Sequence, residues 1–294
     1  MKPADLNSIN TLSNLVGKGT TLVVQSTRMD FETNTYVSEL WKRSKGQWRS
    51  FKSGNSNFSN PKFGDKENII FYTKTNRSVQ DKSRSKKTLS SIYKQEGRSI
   101  DTVFEIEGSI SNYSLSRDRK SMFVITSEWS EEFKNIEDKN SEPMYYENLP
   151  FRFDTKGIIY NKRANVYKVN IRTKKFIKII DGDAKDIISI ESLVEGDKGL
   201  MLSFEQYNSK GTMLEEKIGL IENSKIKEIY SNGSMGNLFY YKDGLHAVGM
   251  KKKFDWPTNT TILKISNTGK VSFKYSSFDR NIVKAEVNEA ILYF

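Results

Sequence analysis

The chain has no cysteine, a single histidine and only five prolines, and these scarcities remove whole classes of chemistry. Without cysteine there are no disulfides, no thiolate nucleophile and no thiolate metal ligand. With His246 as the only imidazole, a zinc centre of three or four His, Cys, Asp or Glu ligands is not expected. No Gly-x-Ser-x-Gly nucleophile elbow occurs; the nearest piece, Gly233 to Gly236, has the wrong spacing. Val16 to Thr20 lacks the Gly-x-x-x-x-Gly-Lys frame of a phosphate loop and leads into a strand, so it reads as a tight turn. No apolar run approaches the ~18 residues that span a bilayer. Met1 leads into polar sequence, with neither the apolar segment nor the cleavage site of a signal peptide. These absences point to the cytoplasm and to no membrane partner.

Positive charge is in excess. The net charge is +11, and 28% of the residues are charged. The excess is spread along the chain, as on a lysine-rich solvated surface. Its densest patch, Lys82 to Lys87, falls between two apolar runs, where an exposed loop is expected. Such a patch can neutralise phosphates, but a solvated loop is the preferred reading, and no nucleic-acid partner is expected.

A repeat organises the sequence. Five times a polar turn precedes a short apolar run. The turns are Val16–Thr20, Phe63–Asn68, Ser116–Lys120, Val194–Gly199 and Tyr241–Gly244. The runs are Leu22–Ser26, Ile69–Thr73, Met122–Thr126, Leu200–Phe204 and Leu245–Met250, and Ile291–Phe294 is a sixth. Their starts lie 47, 53, 78, 45 and 46 residues apart. Two further segments follow each full run, alternating apolar and polar residues with many β-branched and aromatic side chains, for example Glu39–Arg43 then Gln47–Phe51. A strand before each turn, such as Ile110–Leu115, completes a unit of four. Four short strands every ~45 residues read as propeller blades. The expectation is an all-β propeller, residues 1–294 as one domain, with five full blades and two strands of a sixth. Helical signal is confined to Ala4–Leu15, where a first turn is conceivable and Asn and Ser oppose a longer helix.

The 78-residue spacing leaves roughly thirty residues beyond a ~45-residue blade, an insertion at about 128–162. It begins acidic and turns aromatic from Met144 to Tyr160. Leu149 to Ile159, running on into Lys162–Ile171 and Phe176–Asp183, resembles the mid-propeller insertion of the prolyl oligopeptidase family of serine peptidases, in its acylaminoacyl-peptidase branch. Asp30 to Trp41 looks like that branch's opening hairpin. The blade turns resemble the family's Trp-Ser-Pro-Asp-Gly turn in eroded form: none keeps the proline, and only Tyr241–Gly244 keeps Asp-Gly. The resemblance implies a propeller that caps an α/β-hydrolase domain bearing a Ser-Asp-His triad and filters peptides by size. With Phe294 as the last residue, that hydrolase domain is expected to lie outside this chain.

The residues themselves assign no catalytic role. His246 sits in an apolar run and reads as a packed strand histidine. Asp181 to Asp186 is acidic but lacks the ligand spacing of a calcium loop, so it reads as a turn. Glu131, Glu132, Glu137 and Asp138 read as a solvated face; a glycosidase pair is the lesser alternative. No cofactor and no metal are expected. The candidate site is the inserted hairpin, where Tyr145, Tyr146, Phe151, Arg152 and Phe153 gather aromatic rings around a cation. It either contacts a hydrolase domain or peptide terminus, with Arg152 clamping a carboxylate, or it packs over the blade edge; the packing reading carries more weight. The expected role is a gating domain with a hydrolase or peptide partner, and the alternative is a stand-alone protein- or peptide-binding scaffold. The edge at Ile291–Phe294 also invites pairing with a second copy.

Overall fold

The computed structural model describes residues 9–30, 32, 35–54, 56–76, 89–130, 152–153, 157–159, 162–222, 225–231, 233–242, 244–250, 259–266, 268–273, 281–282, 285–288 and 291–293. All regular structure among them is β.

Five four-stranded antiparallel sheets form in chain order, each a blade of a β-propeller. Blade 1 is β1 (Thr11–Lys18), β2 (Thr21–Asp30), β3 (Thr35–Ser44) and β4 (Gln47–Lys52). Blade 2 is β5 (Ser56–Phe63), β6 (Ile69–Asn76), β7 (Leu89–Glu96) and β8 (Ser99–Glu107). In blade 3, β9 (Ser109–Leu115) and β10 (Ser121–Trp129) precede a small hairpin, β11 (Arg152–Phe153) and β12 (Gly157–Ile158). The blade then resumes with β13 (Lys162–Asn170) and β14 (Phe176–Ile180). Blade 4 is β15 (Ile187–Gly196), β16 (Gly199–Tyr207), β17 (Leu214–Glu222) and β18 (Lys225–Tyr230). Blade 5 is β19 (Ser234–Tyr241), β20 (Gly244–Met250), β21 (Thr261–Ile265) and β22 (Val271–Phe273). A two-stranded hairpin, β23 (Glu286–Asn288) with β24 (Ile291–Tyr293), follows.

The expected runs lie in the second strands, and the alternating segments form the third and fourth. The insertion sits between the second and third strands of blade 3, at the register pair Trp129↔Lys162. Thr11 to Leu15, within the segment where a helical turn is conceivable, belong to β1, and Thr11 to Ser13 pair with β2; cross-strand bonding outweighs a weak local preference.

The chain divides into two compact units, residues 1–110 with 171–174, and 111–170 with 175–294. In the first, blades 1 and 2 bury Val16, Val23, Leu40, Phe63, Ile70 and Tyr72 between them. In the second, blades 3 and 4 close over Phe123, Val166, Ile180, Leu202 and Phe204, among others. Blades 4 and 5 close over Met201, Ile218, Leu238, Ala247 and Leu263. Such seams exist because a four-stranded sheet has two faces, and the second strand is apolar on both. In β16 every residue from Leu200 to Phe204 is buried.

His246 is fully buried in β20, stacked on Phe239 at 5.5 Å and 18°, with Nδ1 2.9 Å from the Gly244 carbonyl oxygen. It packs in the strand as its apolar neighbours predict. Asp181 to Asp186 form a turn held by Arg163, whose Nη2 lies 2.9 Å from Asp186 Oδ1, while Gly182 N–H donates to Asn165 Oδ1 at 2.8 Å.

Candidate functional site

Two sets of polar contacts join neighbouring blades, and both arise from first strands and the turns that end them. The first set lies at β-bulges. Register breaks in β1 between Ser13 and Val16, in β5 between Ser59 and Lys62, and in β19 between Gly236 and Phe239. The extra residue in each is an asparagine with positive φ: Asn14 at 49°, Asn60 at 50° and Asn237 at 42°. Asparagine tolerates the left-handed region better than other residues bearing a Cβ, because its short side chain bonds locally. At Asn14 the side chain also reaches the next blade. Asn14 Nδ2 donates to Gln25 Oε1 (2.8 Å) and Asn60 Oδ1 (3.2 Å).

The second unit repeats the device with variations. In blade 3, Asn112 Nδ2 donates to the Glu191 carbonyl of blade 4 (3.3 Å). Blade 4 has Glu191-Ser192 where the other blades have Ser-Asn or Gly-Asn. There Ser192 Oγ contacts Ser203 Oγ at 2.9 Å and accepts the Leu238 N–H of blade 5, also at 2.9 Å. Asn237 Oδ1 in turn accepts the Ala285 N–H ahead of β23 (2.6 Å). A side chain on Gly236 would meet the Glu191 carboxylate at 2.0 Å, so the bare glycine makes room for that acid.

The second set lies at the turns between first and second strands. In the first unit Glu67 of blade 2 accepts the Thr21 hydroxyl of blade 1 at 2.5 Å, and Lys18 Nζ donates to the Gly64 carbonyl at 2.9 Å. The Thr21 hydrogen bond, more than any other contact, holds the Glu67 carboxyl below its ordinary range. In the second unit Arg117 N–H donates to Glu195 Oε2 at 2.7 Å, and its guanidinium pairs with Asp197. A cleft of about 490 Å³ opens beside these groups, lined by Ser116, Asp118, Lys168 and Gly196 as well. Asp118 is held below the ordinary carboxylate range, first by the Ser116 hydroxyl (2.7 Å) and then by the Lys120 N–H (3.0 Å).

This cleft can hold a polar, mixed-charge group but offers no activated nucleophile. Ser116 Oγ is engaged within its own turn, with Asp118, the Ser121 carbonyl and the Ser121 N–H. The one imidazole is buried in β20 and packed on Phe239. Among the described residues no group of three His, Cys, Asp or Glu side chains converges as a metal site would require.

Of the expected site residues, Arg152 and Phe153 form β11, which pairs with Gly157–Ile158. Tyr145, Tyr146 and Phe151 lie outside the described residues, as do Glu131, Glu132, Glu137, Asp138 and the patch Lys82 to Lys87. The foot of the insertion is described. Lys162 Nζ lies over the Trp129 ring at 5.5 Å, and Tyr167 Oη donates to Glu128 Oε1 at 3.0 Å. Ile159 packs with Ile188, Tyr207 and Leu214, so this end of the insertion is anchored on blade 4.

The bulge asparagines were missed in the sequence. The signal was present: Ser13-Asn14, Ser59-Asn60, Ser111-Asn112 and Gly236-Asn237 each occur inside a first strand.

These features define a bladed β-propeller, and comparison with solved structures places that architecture. The acylaminoacyl peptidase of Pyrococcus horikoshii matches 98% of the chain at a TM-score of 0.67 and 13% identity. The chain spans 43% of that protein, less than half its length. The β-propeller domain of the trilobed protease from Pyrococcus furiosus, described as having an open velcro topology, matches 97% of the chain at 0.59 and 12% identity, over 78% of its own length. A putative TolB from Agrobacterium tumefaciens matches 90% of the chain at 0.52 and 11% identity, over 80% of its length. No protein-family model matches the sequence, and no curated protein does. The chain therefore has the propeller fold of the acylaminoacyl-peptidase structures. Among the described residues no helix is long and apolar enough to cross a membrane, which says nothing of β-barrels.

Proposed function

We propose that this chain is the gating propeller of a serine peptidase of the prolyl oligopeptidase family, in the acylaminoacyl-peptidase branch. In this reading it restricts peptide access sterically to a hydrolase domain that carries all the chemistry. One observation carries the proposal: the chain matches the acylaminoacyl peptidase over 98% of its length. The insertion supports it, because it interrupts the third of five blades, in keeping with the mid-propeller insertion of the resemblance. So does the cleft beside Arg117, where Arg117 pairs with Asp197 and the Ser116 hydroxyl is engaged within its own turn. The hairpin β23–β24 is read as the opening of a sixth blade. The aromatic hairpin around Arg152 is read as its contact to the hydrolase domain or to a peptide terminus.

The test is substrate size. In the assembly that contains this chain, an acylated dipeptide should be cleaved far faster than an unfolded polypeptide carrying the same bond. Cutting the chain away by limited proteolysis should raise polypeptide cleavage with little change for the dipeptide. Equal gains for both substrates, or none, would sink the gating role.

A second reading is a binding scaffold without a hydrolase. The match to the putative TolB favours it, since the same fold over 90% of the chain occurs there under a different name. A purified assembly containing no serine hydrolase would select this reading.

A further inference from the structure

Between blades 1 and 2, three lysines stand over a nest of aromatic rings. Tyr72 lies at the centre, stacked on Tyr93 (5.8 Å, 17°) with the edge of Phe51 against it (6.1 Å, 81°). Lys52 Nζ sits 5.2 Å from the Tyr72 centroid and 5.4 Å from that of Phe51. Lys42 Nζ lies over the same Phe51 at 5.9 Å, and Lys74 Nζ over Tyr93 at 5.8 Å. The residues come from β3, β4, β6 and β7, and all belong to the first unit. Strand register explains the convergence: Ile70 and Tyr72 face blade 1, so Lys74, two residues on, faces it too.

Ring faces attract each ammonium by ~0.5–2 kcal/mol, but they carry no net charge to offset three cations. Among the described residues no carboxylate lies within 4.0 Å of Lys42, Lys52 or Lys74. Glu105, in the same cross-strand row as Lys74 and Ser91, takes the Ser91 hydroxyl at 3.0 Å. Burial first, and then the charge of Lys74, pulls Lys52 below its ordinary range. The two ammonium groups feel each other across a half-buried seam, with no carboxylate among the described residues paired to either. A bound dianion would relieve both costs, and charge-assisted N–H···O bonds to phosphate are short and strong.

We infer that this seam is a binding site for a phosphate group, held between Lys52 and Lys74 with Lys42 behind, on a floor of Phe51, Tyr72 and Tyr93. Phosphate chemistry comes from free inorganic anions or from a nucleotide, and the rings offer a nucleotide base an apolar wall. The site is independent of the gating role.

The test titrates the intact protein with pyrophosphate, inorganic phosphate and AMP, each against sodium chloride of equal ionic strength, by calorimetry and thermal unfolding. Lys52→Met with Lys74→Met is the variant, because methionine keeps the aliphatic stem over the rings. Binding should weaken at least about tenfold per lost ammonium, each charged contact contributing ~1.4 kcal/mol or more. Lys52→Arg should retain it, which separates lost charge from lost folding. Should the double variant fold poorly, ¹³C-methylated lysine NMR on the wild type replaces it: pyrophosphate should raise the Lys52 titration midpoint. Tighter AMP than phosphate identifies a nucleotide; equal affinities identify the bare anion. No binding by the wild type at about 10 mM pyrophosphate, or wild-type binding by the folded double variant, overturns the site; ~10 mM corresponds to under ~3 kcal/mol of binding.

Discussion

Replacing Asn14 isolates the contribution of a bulge staple. Its φ of 49° places it in the left-handed region, and its Nδ2 bonds Gln25 within the blade and Asn60 in the next one. Alanine at this position costs the backbone preference, about 1–2 kcal/mol, and the hydrogen bonds, about 1 kcal/mol net. The sum for Asn14→Ala is about 2–3 kcal/mol, of which only the hydrogen-bond part should remain in Asn14→Gly, because glycine adopts positive φ freely. Asn14→Asp keeps the shape and the local acceptor but removes the donor, so it should resemble the glycine variant. Urea unfolding followed by tryptophan fluorescence reports on this region directly, since Trp41 and Trp48 lie in blade 1. At ~2–4 °C per kcal/mol for a domain of this size, the alanine variant should melt several degrees lower. If Asn14→Gly is as damaging as Asn14→Ala, the strained backbone is not part of the device. If both are neutral, the bulge is not a staple.

Leu202 is fully exposure-free in the seam of blades 3 and 4, so Leu202→Ala should cost about 2–5 kcal/mol in chemical denaturation, against a near-neutral change at exposed Lys225. Gly249 pairs with Met235, and a Cβ there would lie 2.1 Å from the Ser234 carbonyl oxygen and 2.8 Å from Met235 Cα. Because those neighbours are backbone, Gly249→Ala should destabilise blade 5 by at least about 1–3 kcal/mol, measured by the same unfolding curve. Glu67 and Asp118 titrate below their ordinary values in the folded protein, mainly through the hydroxyls of Thr21 and Ser116 respectively. Their contribution is therefore present above about pH 4 and is lost as pH falls through the folded values. Glu67→Gln should flatten the acid limb of a stability–pH curve; an unchanged limb would remove Glu67 from the account. Burial pushes the Tyr72 hydroxyl up to about 12, and Tyr113 is raised by burial as well. Their stabilisation is complete below about pH 10 and fades as pH rises through the folded values. Tyr72→Phe should therefore soften the alkaline loss, and an identical alkaline limb would count against this.

The sequence made the blades legible because a propeller strand sequence repeats. The apolar second strand must be buried on both faces in every blade, so Leu200 to Phe204 and Ile69 to Thr73 advertise the same environment. The insertion was legible as an interruption of that spacing, and its foot at Trp129 and Lys162 falls where the interval lengthened. The bulges were not, because asparagine ordinarily marks a turn or a chain break. Only cross-strand pairing shows that Asn14, Asn60 and Asn237 stay within their strands while one residue is left over. The start of β1 was obscured for a related reason: Asn and Ser dilute its alternation, and pairing with β2 decides its conformation. The lysine-bearing seam was hidden more deeply. Lys42, Lys52, Lys74 and Tyr93 come from four strands of two blades, and period-two alternation tells which face a residue takes but not what it meets across a seam.

In the proposed function this propeller gates a serine hydrolase whose domain carries all the chemistry. Fluorophosphonate labelling of the protein in its native assembly, followed by peptide mapping, tests it most directly. The account predicts a labelled serine in a hydrolase domain of that assembly and none within residues 1–294. A labelled serine within those residues, or an assembly that takes up no label, would contradict it.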